Sequence, residues 1–326
     1  MIRTVSLRLP LVVLAGLFAP APAGAQDFPL RAIRIVVAQA PGSSVDVLAR
    51  VIGQKLTDAW GQQVIVDNRP GANGIIGLEY TAKSKPDGYT LAMGVPSALT
   101  INQYIYKDLP YDTLRDFAPV TQSSAITYVL VVNPSLPVKT VQELVAFARA
   151  RPGRLNYSSA GVGNLMHLSA ELFSQQTGVK MEHIPNKGET PAVLDAITGQ
   201  VAVMFTTMPS VVPHIKSGRL RLIAVCGDKR SPTFANAPTT AEAGVPGVRI
   251  SGWTGLIAPV GTPADVVNKL QREIARGLLA PDVKENLAAQ GAEPVGSTPE
   301  QFTAFIKAEQ AKWGKVIKES GIRLGQ

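Results

Sequence analysis

A run of β-forming residues that meets a glycine and serine turn just before a helical pattern occurs twice in this chain. The first copy is Ile33-Arg-Ile-Val-Val-Ala-Gln-Ala-Pro-Gly-Ser-Ser-Val-Asp46, and the second is Leu155-Asn-Tyr-Ser-Ser-Ala-Gly-Val-Gly-Asn164. Strand, tight turn and helix start in that order begin a βαβ unit, and the long separation assigns the copies to different domains. At each helix start, backbone N–H groups without an intrahelical partner converge with the positive end of the helix. Each copy is therefore a socket for an anion. Two sockets facing one another describe a protein that grips an acidic small molecule between two lobes.

The same grammar runs through the rest of the sequence. Ile33 to Ala38 reads as a strand, Val45 to Trp60 as a helix with Val47, Leu48, Val51, Ile52 and Leu56 on its apolar side, and Gln63 to Val66 as a strand again. Thr140 with Glu143 and Thr298 with Gln301 have the spacing of capping boxes, while Pro191, Pro263 and Pro299 each follow a threonine and suit a first helical position. Further helices are expected over Thr140 to Ala150, Asn164 to Thr177, Pro191 to Thr198 and Pro299 to Glu319. The last carries Phe302, Phe305, Ile306, Trp313, Val316 and Ile317 as a core stripe and is expected to pack on the first lobe. A polar stretch near Gln122 to Ala125, and a strand near Leu222 to Gly227 that leads into the polar, Pro-rich segment Asp228 to Pro238, read as crossings between lobes. The expected division is 26–124 with 226–326 for the first lobe and 125–225 for an inserted second lobe.

Residues 1–25 read as a cleavable export signal: Arg3 and Arg8, the apolar stretch Leu9 to Phe18, then the small residues Ala23-Gly24-Ala25. An apolar run of about ten residues is too short to span roughly 30 Å of hydrocarbon. The mature chain is expected in the periplasm of a Gram-negative cell, as a monomer. Its charge, +8 from 32 basic and 24 acidic residues, falls to +6 when Arg3 and Arg8 leave with the signal. That excess favours acidic ligands, but the basic residues are scattered and do not alternate with aromatics, so nucleic acid is not an expected partner. Cys226 is the only cysteine, which rules out an intramolecular disulfide, and its apolar neighbours Leu220 to Val225 read as a buried strand.

Catalytic and metal signatures are lacking. There is no G-x-S-x-G elbow and no G-x-x-x-x-G-K loop, and Gly161-Val-Gly163 lacks the third glycine of a dinucleotide fingerprint. His167, His183 and His214 stand at unrelated spacings with no cysteine partner, so neither a metal nor a cofactor is expected. A Ser-His-acid hydrolase would draw on Ser43, Ser44, Ser158, Ser159 and His167. A serine at a turn before a helix is first of all a cap, however. A charged His167 in the first turn of its helix would oppose the helix dipole, so a neutral imidazole is expected there.

Several tags in order along the chain carry a resemblance. Pro41-Gly42-Ser-Ser-Val-Asp46-Val-Leu-Ala-Arg50, Asp67-Asn68-Arg69-Pro70-Gly71-Ala72, Pro86-Asp87-Gly88-Tyr89-Thr90-Leu91 and Leu109-Pro110-Tyr111-Asp112 are four of them. Asn156-Tyr-Ser-Ser-Ala160-Gly161, Ala258-Pro259-Val-Gly261-Thr262-Pro263 and Gly291-Ala292-Glu293-Pro294 complete the set. Together they resemble the Bug, or TctC-like, solute-binding proteins over essentially the whole mature chain. The resemblance implies an α/β, two-lobed periplasmic binding protein of type II-like build, each lobe a βα-sandwich around a mixed sheet, with hinge strands between. It further implies capture of a small organic carboxylate by closure about hinges near Ser124 and Val225, and delivery to the membrane subunits of a tripartite tricarboxylate transporter. A sensor that reports ligand to a membrane sensor kinase is the alternative, and a periplasmic hydrolase ranks behind both.

Carried over by position, the ligand contacts are Gln39, Ala40, Gly42, Ser43, Ser44 and Ser97 in the first lobe. In the second they are Ser159, Ala160, Gly163, Asn164, His167, Asn186 and Thr206, with Asp46 holding the first loop from behind. The chain also departs from the family. Ala38-Gln39 replaces Pro-Phe, Ser43 and Val45 replace Gly and Thr, and Val95, Ser97 and Ala98 replace Thr, Gly and Thr. Asn164 stands for a serine, Asn186 for the tyrosine of H-V-P-Y-K-G, and Thr206 for an aspartate. Loss of that acid and of hydroxyls at Val45, Val95 and Ala98 leads to the expectation of a carboxylate without a free amine, with an aromatic or aliphatic body. Lys187, in its Pro and Gly loop, is a weak candidate for an ion pair with the ligand.

Overall fold

The structure, a computed structural model, describes residues 28–289 and 291–321. The export signal assigned to residues 1–25 lies outside them. The first half contains β1 (Ile33–Val37), α1 (Ser44–Trp60), β2 (Val64–Asn68), α2 (Ile75–Ala82), β3 (Thr90–Gly94) and two short helices, α3 (Asn102–Ile105) and α4 (Thr113–Asp116). β1 lies between β2 and β3 and parallel to both, with Ile33, Ile35, Val36 and Val37 fully buried. Such an unbroken apolar strand requires a sheet covered on both faces. On α1 the core takes Val45, Leu48, Ala49, Ile52 and Leu56. Val47 and Val51, expected on the apolar side, are half-buried on its flanks. The helix ends at Gly61, whose φ of 67° lets its N–H turn back to the Thr57 carbonyl.

β4 (Phe117–Val132) serves both halves. As far as Thr127 it pairs antiparallel with the returning strand of the first half, and from Tyr128 onward it pairs with strands of the second. The crossing thus falls a few residues later than the polar stretch Gln122 to Ala125 led us to expect. The second half then runs α5 (Val141–Ala150), β5 (Asn156–Ser159), α6 (Leu165–Thr177), β6 (Glu182–Pro185), α7 (Glu189–Thr198), β7 (Val203–Thr207), α8 (Met208–Lys216) and β8 (Arg221–Val225). The chain returns through β9 (Ser251–Pro259), α9 (Ala264–Leu278), α10 (Pro281–Ala289), β10 (Ala292–Pro294) and α11 (Pro299–Ser320). The sheet order is β2-β1-β3-β9-β4-β7-β5-β6, with β8 and β10 also pairing β4. This is the mixed α/β architecture that the sequence implied.

Each half has its own hydrophobic core. Cys226, fully buried, lies beside both crossings: its N–H donates to the Tyr128 carbonyl at 2.8 Å and its carbonyl accepts from the N–H of Ile250, the residue before β9. Burial pushes its thiol pKa well up. Between Cys226 and β9 the chain stays with the second core, where Ala243, Val245, Val248 and Ile250 pack. Hydrogen bonds from Val225 to Pro238 and from Thr240 to Val225 tie that segment to the end of β8. Sequence composition had placed everything after residue 225 in the first lobe.

α11 differs more from expectation. Phe302 and Ile306 belong to the first core, but Trp313, Val316 and Ile317 belong to the second, and the Gln175 amide donates to the Val316 carbonyl at 3.1 Å. The helix is long enough that one apolar stripe reaches past the first core, so it braces both halves. Its capping box between Thr298 and Gln301 forms in full, with Pro299 as first residue. Elsewhere the local signals shift. Thr140 caps Glu143, but the Glu143 carboxylate reaches back to Lys139 N–H instead of Thr140. Pro191 is the third residue of α7 because Gly188, at φ 129°, starts that helix earlier, and Pro263 is itself the cap of α9.

Candidate anion-binding site

Two helix starts are built alike. Ser43 Oγ accepts the Asp46 N–H at 3.2 Å, and the Asp46 carboxylate accepts the Gly42 N–H at 2.9 Å. In the second half Asn164 Oδ1 accepts the His167 N–H at 3.0 Å, and His167 Nδ1 accepts the Gly163 N–H at 2.9 Å. Both glycines are left-handed, Gly42 at φ 80° and Gly163 at φ 75°. Each start is thus a reciprocal cap, in which the third helical residue holds the glycine just outside the helix. The N–H groups of Ser44 and Val45, and of Leu165 and Met166, have no hydrogen-bond partner among the described residues. They are the donors left for an anion.

The first turn is held from behind as Asp46 was expected to hold it. Asp46 is 3 % exposed, and its carboxylate also takes hydrogen bonds from Arg50 and Asn68. Burial alone would raise its pKa, but Arg50, the Gly42 N–H and Asn68 together bring it below the usual carboxylate value. Asn68 also donates to the Gln39 carbonyl, and the Ala40 carbonyl accepts from Ser43 N–H. Ala40, Gly42 and Ser44 are exposed, while Gln39 and Ser97 are half-buried, Ser97 opening the turn Ser97–Ile101 after β3. Asp46→Ala frees Gly42 and strands Asn68 and Arg50. It is expected to cost about 1 to 3 kcal/mol, read as a lower Tm in thermal unfolding.

In the second turn Ser159 is fully buried. Its hydroxyl lies 2.6 Å from His183 Nε2 and bonds both the N–H and the carbonyl of Gly161. His183 stacks on His167 with ring centroids 3.8 Å apart, and Tyr157 stacks on His183 at 5.0 Å. Tyr157 Oη donates to Glu171 at 2.7 Å, and His167 Nε2 faces the same carboxylate at 4.0 Å. Because Nδ1 of His167 accepts a hydrogen bond, its proton resides on Nε2. The Ser159 hydroxyl of this pair is enclosed and bonded within the turn. Ala160 and Asn164 are half-buried beside it.

Burial, and for His167 the neighbouring His183, lowers the imidazole pKa values to about 3 for His167 and about 4 for His183. Both rings are neutral in the folded protein at pH 7, as the helix dipole argument required of His167. In the unfolded chain they bind protons near the ordinary value of about 6.5, so acid favours unfolding. Their contribution is intact above that value and is lost as pH falls toward 4 and then 3, by at most about 1.4 kcal/mol per pH unit for each ring. Tm measured between about pH 7 and 4.5 should fall less steeply in His183→Phe, which keeps the stacked ring and removes a proton site. Equal slopes would contradict this assignment.

Two expected contacts turn elsewhere. The Asn186 amide donates to Asp195 at 2.7 Å, joining the loop to α7, and its backbone N–H extends the pairing at the Ser159 carbonyl. Thr206 is fully buried and donates to Glu189 Oε1 at 2.6 Å. The residue that replaces the family's aspartate is thus bonded to another carboxylate, that of Glu189. Val45, Val95 and Ala98, expected as an apolar pocket wall, are 4 %, 8 % and 1 % exposed and pack in the first core. The grounds for an amine-free ligand with a hydrocarbon body are thereby removed. Sequence reading missed Glu189, Tyr157, Glu171 and the His167–His183 stack. The stack is brought together by the register that sets Tyr157 opposite His183 on neighbouring strands, which no spacing in the sequence discloses.

Gly163 is also where the halves touch: a Cβ there would meet Ile105 Cδ1 at 2.4 Å. A groove of about 700 Å³, lined by Lys139, Thr140, Arg221, Phe234 and Pro238 among others, lies away from these turns and contains none of their residues. Among the described residues no cluster of three or more His, Cys, Asp or Glu is arranged to hold a metal, and no helix is long and apolar enough to cross a membrane.

Two α/β halves joined through shared strands, with capped helix starts at the strand ends of each, define the class of periplasmic binding proteins. The chain belongs to the tripartite tricarboxylate transporter family of receptors, whose model matches residues 48–322. It is 41 % identical over 314 residues to protein BugT of Bordetella pertussis, covering 96 % of each chain. Among solved structures it is similar to R. palustris Rpa4515 with adipate, at 38 % identity and a TM-score of 0.83, covering 91 % of this chain and 99 % of that one. It is also similar to MatC from Rhodopseudomonas palustris with bound malate, at 29 % identity and a TM-score of 0.79, covering 89 % of this chain and all of the other. The family is one of solute receptors, not of enzymes.

Proposed function

We propose that this protein is an exported receptor that captures a small organic carboxylate between the Gly42–Asp46 and Gly163–His167 turns and delivers it to the membrane subunits of a tripartite tricarboxylate transporter. The observation that carries this reading is the pair of matched helix starts, each leaving two N–H donors unused. Each helix end contributes roughly 0.3 to 2 kcal/mol toward an anion, so affinity comes from several donors acting in a site that excludes water. The adipate and malate bound by two relatives support a carboxylate as the ligand class. Residues 1–25 are the signal that takes the chain to the periplasm.

Closure rotates residues 128–250 against the remainder about the crossings at Thr127–Tyr128 and Ile250–Ser251, with α11 flexing or sliding across both. The test is thermal unfolding in the presence of a panel of mono-, di- and tricarboxylic acids. A cognate acid at about 100 times its Kd adds about 2.7 kcal/mol of stability, a rise in Tm of several degrees. A panel in which no acid raises Tm would overturn the reading.

A further inference from the structure

Glu189 is a half-buried carboxylate without a cation of its own. It forms no ion pair among the described residues. Its Oε1 accepts from Thr206 Oγ1 at 2.6 Å, Thr207 Oγ1 at 2.9 Å and Thr207 N–H at 3.4 Å, while no described residue bonds Oε2. Glu189 opens α7, which follows β6, yet it reaches the end of β7, and β5 lies between those two strands. β5 and β7 run parallel with Ser158 opposite Met204, which sets Thr206, and the carboxylate it bonds, at the strand end where the Ser159–Asn164 turn begins.

Tyr128 completes the floor of this place. It is 6 % exposed and lies opposite Thr207 in the β4–β7 register, so the two side chains share a face of the sheet. Its hydroxyl has no hydrogen-bond partner among the described residues and is not one of the enclosed polar atoms, so the ring is buried while the oxygen stays accessible. Burial raises its pKa, and the charge of Glu189 raises it further, which places the phenol within the field of that carboxylate. An accessible hydroxyl without a protein partner and a carboxylate with one free oxygen thus stand beside the same residue, Thr207.

Resting on the receptor reading above, we propose that Glu189, with Tyr128 beneath it, is the specificity determinant for the ligand's far end and accepts a hydrogen bond from a hydroxyl or ammonium group. The ligand is then a hydroxy or amino carboxylic acid. A bare carboxylate at that end meets a like charge, whereas a donor relieves the unpaired Oε2 and gives the Tyr128 hydroxyl an oxygen or nitrogen neighbour.

The experiment is titration calorimetry with acids matched in length: succinate against malate and aspartate, and adipate against 2-aminoadipate. Wild type is expected to bind a donor-bearing member about tenfold or more tightly than its bare counterpart, the scale of a hydrogen bond to a charged group. Glu189→Gln keeps an amide oxygen for Thr206 and Thr207 and removes the charge. It should abolish the preference while changing the bare acid by about twofold at most. If Glu189→Gln does not fold, Tyr128→Phe serves, and the preference should shrink there too. A preference absent from wild type, or one that survives in the variant, overturns the assignment of Glu189 and leaves the receptor reading standing. Failure of every acid to bind overturns the receptor reading itself.

Discussion

Gly163→Val is expected to lose ligand-induced stabilisation while the protein still folds. The residue is left-handed at φ 75°, and its N–H is held by His167 Nδ1 at 2.9 Å. A side chain there meets the left-handed cost of roughly 1 to 2 kcal/mol and also displaces Ile105, whose Cδ1 lies 2.4 Å from the position a Cβ would take. The turn and the approach of the halves are disturbed together, so affinity for the cognate acid should fall about 100-fold or more. Gly42→Ala is the informative comparison. Gly42 has a similar φ of 80°, but a Cβ there meets nothing within 4 Å. That variant carries backbone strain alone and should lose about tenfold. Calorimetry on both separates strain in a socket from obstruction between halves, and equal losses would remove the special place given to the Gly163–Ile105 contact.

Trp313→Ala is expected to be the most destabilising single change considered. The indole is fully buried in the second core, and its Nε1 donates to Glu309 Oε2 at 2.9 Å. Truncating a buried tryptophan costs about 3 to 5 kcal/mol. The loss falls on the part of α11 that ties the helix to the second half, while Phe302 and Ile306 continue to anchor it to the first. Chemical denaturation should therefore show a lower midpoint, and proteolysis should cut the helix near its C-terminal end first. Retention of full stability would mean that α11 is not the brace described.

Local rules explain why part of the site was legible in the sequence. Ser43 with Asp46 and Asn164 with His167 are caps written over three residues, and Thr298 with Gln301 forms as its spacing requires. The hydrophobic run of β1 likewise named its own burial, and the tags in order along the chain identified the family. What stayed hidden depends on sheet order. Glu189 meets Thr206 across 17 residues because α7 passes over the end of β5. His167 reaches His183 because β5 and β6 are parallel neighbours whose register sets Tyr157 against His183. Neither pair has a spacing that a linear reading can weigh.

The same limit misled the reading of the departures. Thr206 was taken as a lost acid because the sequence does not disclose that a second acid arrives from the neighbouring helix. Val45, Val95 and Ala98 neighbour expected ligand contacts in sequence, yet their side chains pack in the first core. For α11 the error was one of length: a single stripe of apolar residues was assigned to one core, while a helix of 22 residues reaches two.

The central claim is that one carboxylate is held between the two matched helix starts. A crystal structure of the protein with the acid that most raises its Tm tests this directly. The account predicts carboxylate oxygens within hydrogen-bonding distance of the Ser44 or Val45 N–H on one side, and ligand contact with the Leu165 or Met166 N–H on the other. Ligand density in the groove between Lys139, Arg221 and Pro238, with both helix starts left unoccupied, would contradict it.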